Sequence, residues 1–281
     1  MINVKFKKYD DETLNHLHDL ELMILKDFSK ICEDYGLKYY MYAGSLLGAI
    51  RHKGFIPWDD DLDVVMFRED FEKFKKIFPT LRSDKYELLS NETNEDYFYY
   101  FAKIMIKDTR FEEEWINQLN FHIGINIDIF VLDDLSDNKI SRKYQIMRSF
   151  LYNRLLITSN LKLDNLSFFS RLVSHSLYYI LNFFNLNTSK MFNRSIKFLN
   201  KYSNRNSECV FDIAANANEY PQIFKKSDFG NGVKVDFEDT KVNVPINYEV
   251  ILESLYGDYM ELPPEDKRYN HMADHIDFGQ Y

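Results

Sequence analysis

The sequence is poor in cysteine and has no long apolar run. Cys32 and Cys209 are the two cysteines in 281 residues. Neither stands in a Cys-x-x-Cys or Cys-His spacing, which excludes a disulfide framework and a zinc site of the finger type. Cys32 falls on a helical apolar face and is expected in the core. No stretch offers 18 uninterrupted apolar residues, as a spanning helix requires. The opening residues, MINVKFKKYD, lack the apolar centre of a secretory leader. These absences predict a cytoplasmic protein. A basic excess is lacking too: 35 Lys and Arg face 44 Asp and Glu, a net charge of −9. That balance argues against nucleic acid as a partner.

What is present suffices for a folded enzyme-sized chain. Hydrophobic residues make up 45% and charged residues 28%, the balance of a globular protein rather than a disordered one. The length allows one large core or a core with a sizeable insertion. No repeat or flexible linker divides it.

The most informative stretch runs from Tyr39 to Asp63, YYMYAGSLLGAIRHKGFIPWDDDLD. Tyr39 to Ala43 reads as a buried strand ending at Gly44-Ser45. A short helical piece, Leu46 to Ile50, leads to the basic cluster Arg51-His52-Lys53 and the turn residue Gly54. After Pro57-Trp58 come Asp59, Asp60 and Asp61, then a second strand, Leu62 to Met66. On that strand Asp61 and Asp63 would share one face, with Leu62 and Val64 turned to the core. Two like charges there repel by several kcal/mol at intermediate dielectric (roughly 332/εr). A hard divalent cation, Mg²⁺ or Mn²⁺, relieves that repulsion. Gly44 lets a backbone approach closely, and the amides and Ser45 hydroxyl at a helix start suit a phosphate oxygen. An acidic triplet alone is more often a solvated loop. The strand after it, the Gly-Ser turn before it and the cations between them point to phosphoryl transfer.

Residues 44–74, GSLLGAIRHKGFIPWDDDLDVVMFREDFEKF, resemble the LicD family of phosphocholine transferases and their fukutin-related kin, within the nucleotidyltransferase superfamily. Tyr100 to Ile104, His122 to Phe130, and Tyr256 to Met260 with Pro263-Pro264 look like further family landmarks in the expected order. The resemblance covers most of residues 11–138 and the C-terminal part, and is weak between 139 and 203. It implies an α/β fold: a nucleotidyltransferase-type mixed sheet flanked by helices, with a helical insertion. On this reading residues 1–138 form the catalytic core and 139–203 the insertion, while 204–281 complete core and active site. The resemblance also implies a Gly-Ser turn, paired acids and a third acid on a later strand.

Elsewhere the pattern is regular. Asp11 to Tyr35 predicts an amphipathic helix, with Leu14, Leu17, Ile24, Phe28 and Ile31 on one face and Gly36 as its stop. Arg68 to Phe78 predicts a second, with Phe71, Phe74 and Phe78 aligned. Residues 86–90, 97–106, 126–130, 210–214, 233–237 and 240–244 read as strands, with Glu238-Asp239 as a hairpin turn. Tyr248 to Tyr256 reads as a short helix, and the tail after it as irregular. Asp128 stands alone in the apolar run Ile125 to Leu132. It is either a strand-edge carboxylate or the third acid, sharing a cation with Asp61 and Asp63. Lys103 is a snorkelling edge residue by burial logic and a phosphate contact by the resemblance. His122 orients a ligand or caps a strand. Arg268 and His271 close over a nucleotide or are plain tail charges.

Residues 139–202 differ in charge. Eleven Lys and Arg face one acid, Asp164, so the segment carries +10 and the rest of the chain −19. Its apolar run from Phe168 to Phe184 suits a helical hairpin on the sheet, or a surface for an anionic partner such as a membrane face.

The resemblance implies transfer of phosphocholine from CDP-choline, or of a similar phospho-alcohol, to a glycan or lipid-linked glycan hydroxyl, as in teichoic acid or lipopolysaccharide assembly. Asp61, Asp63 and Asp128 would hold the metal and serve catalysis. Gly44, Ser45, Arg51, Lys53 and Lys103 would meet phosphate. Choline would call for aromatic faces, with Trp58 and the Tyr97, Tyr99 and Tyr100 group as candidates. Alternatives are glycerol- or ribitol-phosphate transfer, true nucleotidyl transfer, or a catalytically silent binding protein. A glycosyltransferase using Asp-x-Asp fits less well, because it does not call for the Gly-Ser turn.

Overall fold

The computed structural model describes residues 9–82, 84–113, 116, 119–161, 168–183, 188–202, 207–214, 222–268, 270 and 273–281. Helix α1 (Asp11–Asp34) starts where Asp10 caps it, its carboxylate accepting from the Thr13 amide at 2.7 Å. Its stripe of Leu17, Leu20, Ile24, Leu25, Phe28 and Ile31 is buried. Each of those side chains contributes about 1.5–3 kcal/mol on leaving water. Gly36, at φ +63°, ends it as predicted.

Strand β1 (Tyr40–Met41) is shorter than its apolar run suggests, because helix α2 (Ala43–Arg51) begins at once. Ala43 turns the chain with φ +44°, and Gly44 and Ser45 lie in the first helical turn. Strand β2 (Asp63–Phe67) and helix α3 (Arg68–Leu81) follow. Phe71, Phe74 and Phe78 are all buried on α3, as their spacing requires. The sheet continues with β3 (Tyr86–Leu89) and β4 (Ala102–Ile106). The predicted strand 97–106 forms only over its second half. Short β5 (Arg110–Glu112) and long β6 (Asn126–Asp134) come next.

Three helices, α4 (Lys139–Asn160), α5 (Phe168–Phe183) and α6 (Thr188–Asn200), lie between β6 and β7 (Cys209–Asp212). Leu156 of α4 and Leu199 of α6 share a core cluster with Phe211 of β7 and Phe98, so these helices are packed onto the sheet. Strand β8 (Ile223–Lys225), helix α7 (Lys226–Phe229), the hairpin of β9 (Val233–Phe237) and β10 (Thr240–Val244), helix α8 (Tyr248–Tyr256) and β11 (His275–Asp277) complete the chain.

The main sheet has the order β1-β2-β6-β4-β3, with β7 pairing β6 and β8 extending β7. Among the described residues, β2 and β6 alone run parallel; the other pairs of this sheet are antiparallel. This is a mixed α/β sheet flanked by helices. The tail is less irregular than expected, since β11 pairs antiparallel with β5. Cys32 is buried in the core, where desolvation raises its thiol pKa.

Candidate active site

The parallel pairing of β2 with β6 sets Asp63 directly beside Asp128. On the other side of β6, the antiparallel register sets Lys103 beside Asp128. Its ammonium lies 2.5 Å from Asp128 Oδ1 and donates to Asn126 Oδ1 at 3.1 Å. Three strands thus bring together residues that are far apart in sequence. Asp128 therefore lies between Asp63 and Lys103, with the lysine as its ion-pair partner.

Asp61 differs from the expectation. The strand begins at Asp63, so Asp61 precedes it and does not share a strand face with Asp63. Asp63 is buried and Asp61 half-buried. Asp61 instead lines a cavity of about 200 Å³, together with Glu21, Tyr99, Lys103, Asn126 and Asp128. The Gly-Ser turn braces this arrangement. Ser45 Oγ accepts from the Asp63 amide at 2.8 Å, leaving the hydroxyl hydrogen free to point elsewhere. At Gly44 a Cβ would come within 2.9 Å of Asp59 Oδ2, so the glycine admits the acidic loop against α2. His18 Nε2 donates to the Asp59 carbonyl at 2.8 Å, and the Tyr9 hydroxyl donates to Asp60 at 3.1 Å.

The electrostatics are those of concentrated negative charge. Desolvation, then the charges of Asp61, Asp128 and Asp59, push the Asp63 carboxyl well above its ordinary range; Lys103 opposes the shift. Glu21, missed in the sequence reading, behaves alike. Burial, then Asp61, Asp60, Asp59 and Asp63, raise its pKa strongly. Its Oε2 is buried with no hydrogen-bond partner among the described residues. A signal existed: Glu21 sits within the apolar stripe of α1, four residues after Leu17 and four before Leu25.

Among the described residues, no three His, Cys, Asp or Glu side chains converge on one point as metal ligands. The chemistry of the set nonetheless suits a hard cation: clustered carboxylate oxygens, one of them unpartnered and buried, answered on the cavity wall by Lys103.

The remaining candidates separate into a second cluster and two outliers. Arg51 donates to the carbonyl oxygens of Tyr259 at 2.9 Å and Glu261 at 3.3 Å, and its Nε to His52 Nε2 at 3.0 Å. Burial and Arg51 hold the His52 pKa down. Trp58 meets the His52 ring edge-on at 6.1 Å, and the Arg268 guanidinium lies 5.1 Å from a Trp58 ring centroid. These four tie the C-terminal tail to the acidic loop. Desolvation, then the charges of Asp63, Asp59 and Asp61, raise the Tyr256 pKa, with Arg51 opposing. Lys53 is exposed on the turn beside the β9–β10 hairpin, and His122 is exposed before β6; neither lines the cavity. His271 lies outside the described residues. Of the aromatic candidates, Tyr99 lines the cavity, while Tyr97 and Tyr100 are buried in the cores behind it.

Acids at the heads of two parallel strands, a lysine across from them and a helix start alongside define an α/β domain suited to phosphate chemistry. Residues 36–134, which carry all three acids, match the LicD/FKTN/FKRP nucleotidyltransferase domain. Beyond that domain, the chain is similar to LicD proteins over most of its length. Among its relatives, the lipopolysaccharide cholinephosphotransferase LicD of Haemophilus influenzae is 29% identical over 251 residues, covering 89% of this chain and 92% of that protein. The ribitol 5-phosphate transferases FKRP of mouse and human are each 48% identical over 40 residues. Those matches cover 14% of this chain and only 8% of either relative.

Proposed function

We propose that this chain transfers phosphocholine, or a closely similar phospho-alcohol, from a CDP-linked donor to a hydroxyl of a glycan. The observation that carries the reading is the register of β2, β6 and β4, which lines up Asp63, Asp128 and Lys103. The similarity to the Haemophilus cholinephosphotransferase over nearly the whole chain supports phosphocholine as the group moved.

Asp61, Asp63 and Asp128 would hold Mg²⁺ or Mn²⁺, which when bound neutralises charge on the donor diphosphate. Lys103 faces the same phosphate oxygens from β4. The amides at the start of α2 and the Ser45 hydroxyl steady the remaining oxygens. Asp128 accepts the proton of the acceptor hydroxyl as its oxygen attacks the phosphorus bearing the alcohol. The bond from that phosphorus to the bridging oxygen breaks, and CMP leaves with the electron pair. Tyr99 and Phe101 line the cavity, the aromatic surface there that a quaternary ammonium would meet.

A second reading, ribitol-phosphate transfer, is favoured by the local similarity to the ribitol 5-phosphate transferases. A panel of CDP-alcohols with Mg²⁺ or Mn²⁺, read by CMP release and product mass, separates the two. The expected result is CMP release with CDP-choline and a phosphocholine increment on the acceptor. Release from CDP-ribitol alone would replace phosphocholine with ribitol phosphate. No CMP from any CDP-alcohol would overturn the transferase reading.

A further inference from the structure

Helix α4 carries apolar residues on two faces, Ile146 and Leu156 inward and a second set outward. Its buried face includes Gln145, Ser149, Asn153, Thr158 and Ser159, whereas Ile140, Tyr144, Met147 and Leu151 stand exposed at spacings of four, three and four. Ile140 is 82% exposed and Met147 62%. Two of the buried polar side chains bond the neighbouring chain: Gln145 the Ser136 amide and the Asp134 carbonyl, and Asn153 the Ile213 carbonyl. Polar residues therefore help Ile146 and Leu156 fasten the helix, and a further apolar stripe is left facing outward. Helix α5 repeats the pattern. Leu172, Val173, Tyr179, Ile180 and Phe183 are exposed on one face, Phe183 at 84%, while Ser174 is buried opposite. Adjacent exposed apolar stripes of this kind mark a contact surface rather than scattered surface residues.

Charge narrows the identity of the partner. Lys139, Lys143 and Arg171 are exposed on these two helices, and the single acid of residues 139–202 is Asp164. The segment carries +10 within a chain of net −9. Arg148 lies 4.6 Å from the Phe198 ring centroid and donates to the Tyr144 and Tyr152 hydroxyls, so it orders the aromatic edge of the stripe. Two copies of the chain meeting through this face would press like charges together. No helix among the described residues is long and apolar enough to cross a membrane. An apolar stripe flanked by cations on a helix of this kind suits the interface of an anionic bilayer.

We propose that the outer faces of α4 and α5 dock this protein on an anionic lipid surface, the aliphatic and aromatic side chains entering the headgroup boundary and the cations meeting lipid phosphates. The proposal is independent of the donor and acceptor assigned above. Each basic residue close to such a surface contributes roughly fivefold to partitioning, within a Debye length of about 10 Å at 0.1 M salt.

Cosedimentation of the full chain with phosphatidylcholine vesicles, with and without phosphatidylglycerol, across a salt series tests this. Binding is expected on the anionic vesicles at low ionic strength and should fade as salt rises. Lys139→Glu/Lys143→Glu should weaken it about tenfold or more, and Met147→Ser/Leu151→Ser should weaken it at every salt concentration. Circular dichroism checks that these variants fold, which their exposure favours. Absence of binding at low ionic strength, or equal binding by wild type and both variants, overturns the proposal. So does a wild-type dimer, seen by light scattering, that Met147→Ser/Leu151→Ser converts to monomer, since the face would then belong to a second copy.

Discussion

Arg68 and Asp133 close a two-pronged ion pair at the far end of the strand pair that carries Asp63 and Asp128. Arg68 Nε donates to Asp133 Oδ1 at 2.9 Å and Nη2 to Oδ2 at 2.8 Å, with both side chains nearly buried. The β2–β6 register pairs Asp63 with Asp128 and Phe67 with Leu132. Arg68 and Asp133 are the next step of that register. The planar guanidinium accepts a carboxylate in one geometry only, so this pair fixes the alignment on which the acidic site depends.

Breaking the clamp should therefore cost both stability and activity. Arg68→Met leaves Asp133 buried without its partner, a loss of about 3–5 kcal/mol. For a chain of this size that lowers Tm by on the order of 10 °C. Arg68→Lys keeps the charge but not the fork and should fall between. Thermal unfolding checks both. A Tm for Arg68→Met equal to wild type would remove the clamp from the account.

Asp63→Asn and Asp128→Asn should each lower turnover by about 10²-fold or more while the fold persists. Stability should move the other way at Asp63. Its folded pKa is raised above the unfolded value, so the folded protein binds the extra proton. Stability of the cation-free protein then falls as pH rises above about 4, where the unfolded carboxyl ionises. Asp63→Asn should flatten that fall and raise Tm at neutral pH without divalent ions. Added Mg²⁺ should raise the Tm of wild type and leave the variant unmoved. Equal Mg²⁺-induced shifts in both proteins would take Asp63 out of the ligand set.

Much of the scaffold was legible from local pattern. The stripes of α1 and α3, the β9–β10 hairpin and α8 follow from spacing and stop signals within one segment. The three acids stood out because two stand at the start of an apolar strand and the third interrupts one. What stayed hidden is tertiary. β5 and β11 are three residues each and exist by pairing with one another, so neither has a periodicity to read. Tyr97 to Phe101 has the composition of a strand, yet β4 begins only at Ala102. Glu21 was passed over because an apolar stripe draws the eye to its leucines. Arg51 and Lys53 look alike in sequence, and only the fold separates a guanidinium engaged by the tail from an exposed ammonium.

That separation is measurable. Arg51→Ala removes the hydrogen bonds to the Tyr259 and Glu261 carbonyls and frees the tail that carries Arg268. It should weaken CDP-donor affinity by about tenfold, the worth of one charge-assisted hydrogen bond. Lys53→Ala, at an exposed turn, should change affinity by less than about twofold. Calorimetric titration of each single variant decides; equal losses in both would return Lys53 to the phosphate site.

Glu21 supplies the last prediction. A buried carboxyl with one oxygen unpartnered among the described residues costs about 1–3 kcal/mol, and it shares its helix stripe with Leu17, Leu20, Ile24 and Leu25, where leucine would pack well. Glu21→Leu should therefore raise Tm by several degrees. Glu21→Gln keeps the shape and removes the acid, and should leave Tm within about 2 °C of wild type. Activity should run opposite to stability. Glu21 lines the cavity with Asp61, Lys103 and Asp128, so losing its carboxyl should lower turnover roughly tenfold in Gln and further in Leu, a trade expected where a site keeps a costly group for use. Steady-state rates and melting curves on the same two variants provide the check. A Glu21→Leu protein that is more stable and fully active would make Glu21 a tolerated defect of the core, with no part in the site.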